Sequence, residues 1–388
     1  VAGALVPGAL VHWVTRRDNL KMKITFPHMG NLDIALKAIL EGLGQEVLLP
    51  PPITKKTLNL GVKYSPECAC LPFKINLGNF IESLEQGADT ILMIGDGGRG
   101  SCRLGFYGCI HISILRELGY DFQFITVSNR RKSEFLSGLT RLGKNKSLPL
   151  KISALCKFYK MRLCEEVERL SHHYMPYEVE KGATARAYKE SLRIIDKAQS
   201  ITEIIRARRQ GRKIFSQIKK DTSRKPLRVL IVGEIYVVWE PFVNLNIEQR
   251  LGEMGVEVVR KLWLTDNILY RAHLDFLCHG NRREALRAAK RYLGYNVGAE
   301  CNISVGEAIL SQHEGCDGVI HLMPFTCMPE IIASSIMLKV SRDYDVPILT
   351  FTLDEHSAEA GMVTRLEAFI DLLSRRRSQK KHNGTMKK

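Results

Sequence analysis

Lys225-Pro226-Leu227-Arg228-Val229-Leu230-Ile231-Val232-Gly233 divides the chain into two kinds of sequence. Between 150 and 222, Gly and Pro are scarce, and apolar residues recur at helical spacing through Leu155, Phe158, Tyr159, Leu163, Val167 and Leu170. Lys225-Pro226 breaks that pattern. The branched apolar run after it, closed by Gly233, reads as a buried strand. Further strands read at Val256–Val259, Gly318–Leu322 and Val346–Phe351, with helices over 247–253, 281–293, 304–313, 330–342 and 359–374. The same alternation precedes the helical stretch: strands at 22–27, 46–49, 90–95 and 122–127, helices at 32–43, 80–86 and 108–118. Alternating strands and helices favour a parallel sheet. The expected fold is therefore α/β: two doubly wound, Rossmann- or flavodoxin-like domains, a helical middle segment, and a cofactor cleft between the domains. In such sheets ligands sit at the C-terminal ends of the strands. The expected boundaries are 22–150, 151–226 (helical, basic) and 227–374, followed by a disordered basic tail over 375–388.

The 388 residues are 45% hydrophobic and 25% charged, which excludes a disordered chain. No apolar run of about 20 residues occurs, so no membrane span is expected. The formal charge of +16 is unevenly spread: 375–388 carries +7, 151–226 carries +10, and the rest sums to −1. Basicity confined to a helical face and a tail reads as a solvated surface or as a site for an anionic partner. No nucleic-acid motif is visible, and nucleic acid is disfavoured. At the other end, Arg16 and Arg17 follow the apolar run Val1–Val14 instead of preceding it, unlike a signal peptide. Met22 is the expected translation start, with residues 1–21 a non-native extension.

Among the ten cysteines, three stand out by setting. Cys70 lies in Ser65-Pro-Glu-Cys-Ala-Cys-Leu-Pro-Phe-Lys74, Cys102 in Gly97-Gly-Arg-Gly-Ser-Cys-Arg-Leu-Gly-Phe-Tyr-Gly-Cys109, and Cys327 in Met323-Pro-Phe-Thr-Cys-Met-Pro-Glu330. All three fall on loops at or near strand ends, where Gly and Pro let backbone approach and stiffen. No CxxC pair occurs, which disfavours structural zinc, and the lack of a secretion signal disfavours disulfides. A nucleophilic Cys would need a partner such as His111, His279 or His321. Inert burial and ligation of an iron–sulfur cluster both remain open for these three cysteines. Cys156, Cys164, Cys278, Cys301 and Cys316 read as packing residues. Gly95-Asp-Gly-Gly-Arg-Gly-Ser101 follows a strand and is weak evidence for nucleotide binding, since it is not GxxxxGK[ST]. Glu234 and the run Asp354-Glu355-His356 stand at strand ends, where Glu234, Glu355 and His356 suit proton transfer; Asp354 or Ser357 equally suits a helix cap.

Five stretches carry a resemblance: Cys70-Leu-Pro-Phe-Lys74, Gly233-Glu-Ile-Tyr236, Ser304-Val-Gly-Glu307, Gly315-Cys-Asp-Gly-Val-Ile-His-Leu-Met-Pro-Phe-Thr-Cys-Met-Pro-Glu330 and Asp354-Glu-His-Ser-Ala-Glu-Ala-Gly-Met-Val-Thr-Arg-Leu-Glu-Ala-Phe369. Through them the sequence resembles the 2-hydroxyacyl-CoA dehydratase / benzoyl-CoA reductase family, in particular its stand-alone relatives described as CoA protein activase-related. The resemblance runs from Met22 to about Arg377. It implies a [4Fe-4S] cluster held between α/β domains by Cys70, Cys102 and Cys327. It also implies a separate ATP-hydrolysing activator, itself carrying an iron–sulfur cluster, that delivers a low-potential electron. Dehydratases of the family use that electron to form a ketyl radical and eliminate water from an acyl-CoA. Other relatives carry a double-cubane cluster and reduce small molecules; Cys68 and Cys109 are the additional ligand candidates for that case. The chain lacks the phosphate-binding motifs of the activator and is not expected to hydrolyse ATP alone. A cytoplasmic protein in a homo- or hetero-oligomer is expected, with a non-catalytic partner of the activator as the alternative.

Overall fold

The computed structural model describes residues 22–94, 104–127, 156–271 and 282–385, together with 142, 147, 153, 154 and 278. Residues 1–21, and the expectation attached to them, lie outside the described residues, as does Cys102.

The N-terminal block runs β1 (Lys23–Thr25), α1 (Leu32–Gly42), β2 (Glu46–Val47), α2 (Lys55–Tyr64), α3 (Leu71–Glu85), β3 (Thr90–Ile94), α4 (Leu104–Glu117) and β4 (Gln123–Val127). Three helices follow: α5 (Tyr159–Tyr174), α6 (Ala183–Lys197) and α7 (Ile201–Ser216). The C-terminal block runs β5 (Leu227–Gly233), α8 (Ile235–Trp239), α9 (Ile247–Glu253), β6 (Val256–Arg260), α10 (Leu264–Arg271), α11 (Arg282–Ala289), α12 (Cys301–Leu310), β7 (Gly318–Pro324), α13 (Met328–Asp343), β8 (Ile348–Leu353) and α14 (Glu359–Thr385). The fold is α/β with two four-stranded parallel sheets of the same order, β2-β1-β3-β4 and β6-β5-β7-β8.

The repeat extends to the helices ahead of each third strand. α2 packs on α3, and α11 packs on α12. Both crossings are close enough to require glycine. A Cβ on Gly61 would stand 1.8 Å from the Lys74 carbonyl oxygen, one on Gly78 1.9 Å from that of Thr57, and one on Gly306 2.0 Å from that of Ala285. The sequence reading missed α2 and began α3 nine residues late. The reason is burial: fourteen of the fifteen residues of α3 are buried, so its Lys74, Asn76, Asn79 and Glu82 mark no solvent face.

In the helical middle segment, Leu163, Cys164, Val167, Ile195, Ile204 and Phe215 form a core that also takes in Ile34 of α1. Ser200 and Glu203 make a reciprocal capping box that starts α7.

The two sheet-bearing blocks share apolar packing. Ile53, Leu71 and Ile75 belong to the same buried cluster as Tyr236, Val237, Phe351 and Leu353. A polar joint adds to it. Glu240 accepts from the Gly30 backbone N–H at 2.9 Å and lies 3.0 Å from His28 Nδ1, while the Tyr236 hydroxyl donates to the His28 carbonyl at 2.9 Å.

The tail differs from expectation. Residues 375–385 continue α14 as helix instead of being disordered. Arg377 donates to both carboxylate oxygens of Asp317, at 2.9 and 2.6 Å, and to the carbonyls of Lys225 and Pro226; Arg376 and Lys380 pair with Asp345. These aspartates sit at the N-terminal approaches to β7 and β8, so the charges that looked like a free tail dock on the sheet. Among the described residues, no helix is long and apolar enough to cross a membrane.

Candidate functional site

In each sheet, the second strand in sequence lies on one side of the first and the third strand on the other. Connections leaving the first and third strands therefore diverge, and the crevice of a sheet in this order is expected beyond their C-terminal ends. In the C-terminal sheet this edge collects Glu234 after β5, Cys327 after β7 and Glu355 after β8. Backbone bonds hold them in place: Glu234 N–H donates to the Leu322 carbonyl at 3.0 Å, and Phe325 N–H to that of Leu353 at 2.8 Å. Gly233, at φ 144°, is required here, because a Cβ would meet the Leu322 carbonyl oxygen at 1.9 Å. The loop into Cys327 holds Thr326 at φ 67°, a left-handed conformation costly for a β-branched residue.

Cys327 is buried and N-caps α13; Cys70 is part-buried and N-caps α3. Each is followed by an apolar residue and then Pro, at Leu71-Pro72 and Met328-Pro329, which suits the first turn of a helix. Both thiols thus stand at the positive ends of helix dipoles, where a thiolate is favoured. The two cysteine-bearing segments meet. The Thr326 hydroxyl donates to the Cys68 carbonyl at 3.3 Å, and Lys74, one turn along α3 from Cys70, forms a close ion pair with Glu355. From α4, the Tyr107 hydroxyl lies 2.7 Å from Cys70 Sγ.

The crevice carboxylates are in unlike states. Burial pushes Glu234 up to about 7 against the Val237 and Tyr236 N–H bonds that favour its ionised form; the nearby Glu330 and Glu300 carboxylates push the same way as burial. For Glu355 burial acts in the same upward direction, but the Lys74 hydrogen bond and charge, with its own backbone N–H, outweigh it and hold the carboxyl below the usual range. His356 is exposed, and its backbone N–H donates to Asp354 Oδ1 at 2.9 Å. Asp354 and Ser357 close this turn by bonding each other. Cys68 and Cys109 are both exposed.

The two described histidines named as thiol partners are bonded to other groups. His111 Nε2 lies 3.2 Å from the Phe73 carbonyl, and burial pulls its ring down to about 4, only partly offset by that carbonyl. His321 Nε2 lies 2.8 Å from Glu330 Oε2, both side chains fully buried directly behind the Cys327 loop. His279 lies outside the described residues. Cys301 and Cys316 are packing residues, with burial pushing their thiols up to about 12 and about 11.

A second cluster, Glu168, His172 and Glu248, places three donor atoms within 4.8 Å of one another. A protein cation already serves it. The fully buried Arg260 side chain lies 2.9 Å from Glu168 and 2.8 Å from Glu248, with its guanidinium 4.1 Å from the Trp263 ring centre. A metal ion would have to displace that guanidinium, so these residues read as a structural network joining α5 to β6.

Sequence reasoning picked out Cys70, Cys327, Glu234 and Glu355; the structure ties the Cys70 segment to the Cys327 loop and to Glu355, and sets Glu234 at the end of β5, beside β7. It assigned no site role to Lys74, Tyr107 or Glu330. The charge one turn after each Cys-x-Pro was a visible signal; the partners were not. No protein-family model matches the chain, and no curated protein matches it.

Proposed function

We propose that the chain is an iron–sulfur protein resembling the 2-hydroxyacyl-CoA dehydratase components. In this reading it is cytoplasmic, has two doubly wound domains with a cluster cleft between them, and accepts a low-potential electron from a separate ATP-hydrolysing activator for reductive or radical dehydration chemistry on an acyl-CoA. One observation carries the reading: two cysteine-capped helices from different sheet-bearing blocks converge, with Thr326 bonded to the Cys68 backbone and Lys74 to Glu355. The donor set fits a cluster, since soft sulfur ligands on separated loops at helix N-termini suit iron–sulfur ligation. Cys70 and Cys327 would be ligands, joined by Cys102 from the connection between β3 and α4; Cys68 and Cys109 would join only in a double-cubane site.

A bound cluster would supply one-electron storage. The chain's own groups do the rest. Glu234, near neutrality at the mouth of the crevice, can hold a proton or release one to a substrate. Lys74 and Glu355 fasten the Cys70 helix to the β8 edge, and the buried His321–Glu330 pair stiffens the base of the Cys327 loop.

The test is iron and acid-labile sulfide per chain after anaerobic purification, with an electron paramagnetic resonance spectrum of the reduced sample. About four irons are expected for one cubane and about eight for a double cubane. Cys70→Ala, Cys102→Ala and Cys327→Ala should each lose the cluster. Folded protein without iron in the parent sequence would overturn the proposal and favour a non-catalytic partner of the activator.

A further inference from the structure

The geometry points to Tyr107 as a positioning residue that donates a hydrogen bond to the Cys70 sulfur and so sets the electron affinity of the group bound there. This rests on the iron–sulfur reading above. The Tyr107 oxygen lies 2.7 Å from Cys70 Sγ. A metal-bound thiolate carries no proton, so in the bound state the phenol must be the donor. The ring is 6% exposed and is held edge-on against Phe73, centroids 4.7 Å apart at 77°. Phe73 is itself fully buried, three residues from Cys70 on the same helix, and stacks on His111 at 4.1 Å. Cys70, Phe73, Tyr107 and His111 thus form one packed unit in which the hydroxyl has little freedom to turn away.

A hydrogen bond to a ligand sulfur withdraws electron density, which favours the more negative, reduced state of a cluster. In a buried setting, a bond to a charged acceptor changes an equilibrium by about tenfold or more.

The experiment uses the full chain reconstituted anaerobically with ferrous iron and sulfide. It compares the parent protein, Tyr107→Phe, and a protein in which Tyr107 is replaced by a ring-fluorinated tyrosine, a stronger donor of nearly the same shape. Iron per chain and the midpoint potential, followed by electron paramagnetic resonance, are read for each. Tyr107→Phe should keep its iron while the ratio of reduced to oxidised cluster at fixed solution potential falls about tenfold, about 59 mV for a one-electron couple. The fluorinated ring should shift the ratio the opposite way. Opposite shifts are not expected from a ring that only fills space. Iron intact with no shift in either variant would overturn the inference and leave the cluster reading standing. A parent protein that binds no iron would overturn both. If Tyr107→Phe does not fold, the fluorinated protein decides alone, since a potential equal to the parent's would refute the role.

Discussion

α3 and α13 begin alike and are held differently. Each starts with a capping cysteine, an apolar residue and a proline. From there α3 runs as a buried strut, with Leu71 and Ile75 in the core shared with the C-terminal block and Lys74 reaching across to Glu355. α13 is half exposed, with Met328, Ile331 and Leu338 on its outer face, and its buried charge, Glu330, is satisfied within its own block by His321. The same local start can therefore serve as a tie between blocks or as a rigid loop support. What differs is which surface the rest of the helix covers.

The largest test of this comparison concerns whether the two helices present one site. Cys70→Ala and Cys327→Ala should lose bound iron to a similar, nearly complete extent. If only one of them matters, the helices do not share a ligand. Next in size are the packing differences. Gly78→Ala forces a Cβ onto the Thr57 carbonyl and should destabilise the fold by about 3 kcal/mol or lose it outright. Ser335→Ala on the exposed face of α13 should change stability by less than about 0.5 kcal/mol in the same denaturant titration.

The ion pairs should rank by burial. Glu330→Leu strands a fully buried imidazole and should cost about 2–3 kcal/mol. Lys74→Met leaves Glu355, which is 19% exposed and can be hydrated, so about 1–2 kcal/mol is expected. A reversal of that order would show that the tie across the blocks, and not the loop support, dominates.

A last test separates the two sides by pH. Glu234 titrates at about 7 in the fold against an ordinary 4.5, so the folded chain holds a proton the unfolded chain has released. Its contribution to stability falls as pH rises from about 4.5 to about 7. Glu355, held low after Lys74 outweighs burial, acts in reverse: its contribution is present above the ordinary carboxylate value and is lost as pH falls through its lowered one. Glu234→Gln should reduce the first slope, which Glu165, pushed up to about 7 by burial, shares, and leave the second, as read from denaturation midpoints across pH.

Much of the architecture was legible because it is local. β5 and β7 are mostly apolar, broken only by Arg228 and His321, and α9 spans 247–253 as the periodicity indicates. α2 and the first half of α3 were missed because a helix buried all round shows no amphipathic stripe, and its glycines read as breakers where they serve as crossing points. The tail was misread because its partners Asp317 and Asp345 lie some 30 to 60 residues away in sequence. At the candidate site, the prolines two residues after Cys70 and Cys327 marked the helix starts that these cysteines cap.

The sequence by itself determined the alternation of strands and helices, the helical interruption and the candidate thiols, since these follow from residue size, polarity and backbone freedom over a few neighbours. Only the tertiary structure decided that the Cys70 and Cys327 helices converge, that Tyr107 faces a sulfur, that Lys74 is claimed by Glu355, and that Arg260 fills the place between Glu168 and Glu248. Those pairings depend on which buried polar group finds a partner once water is excluded, and that is settled by packing between segments far apart in the chain.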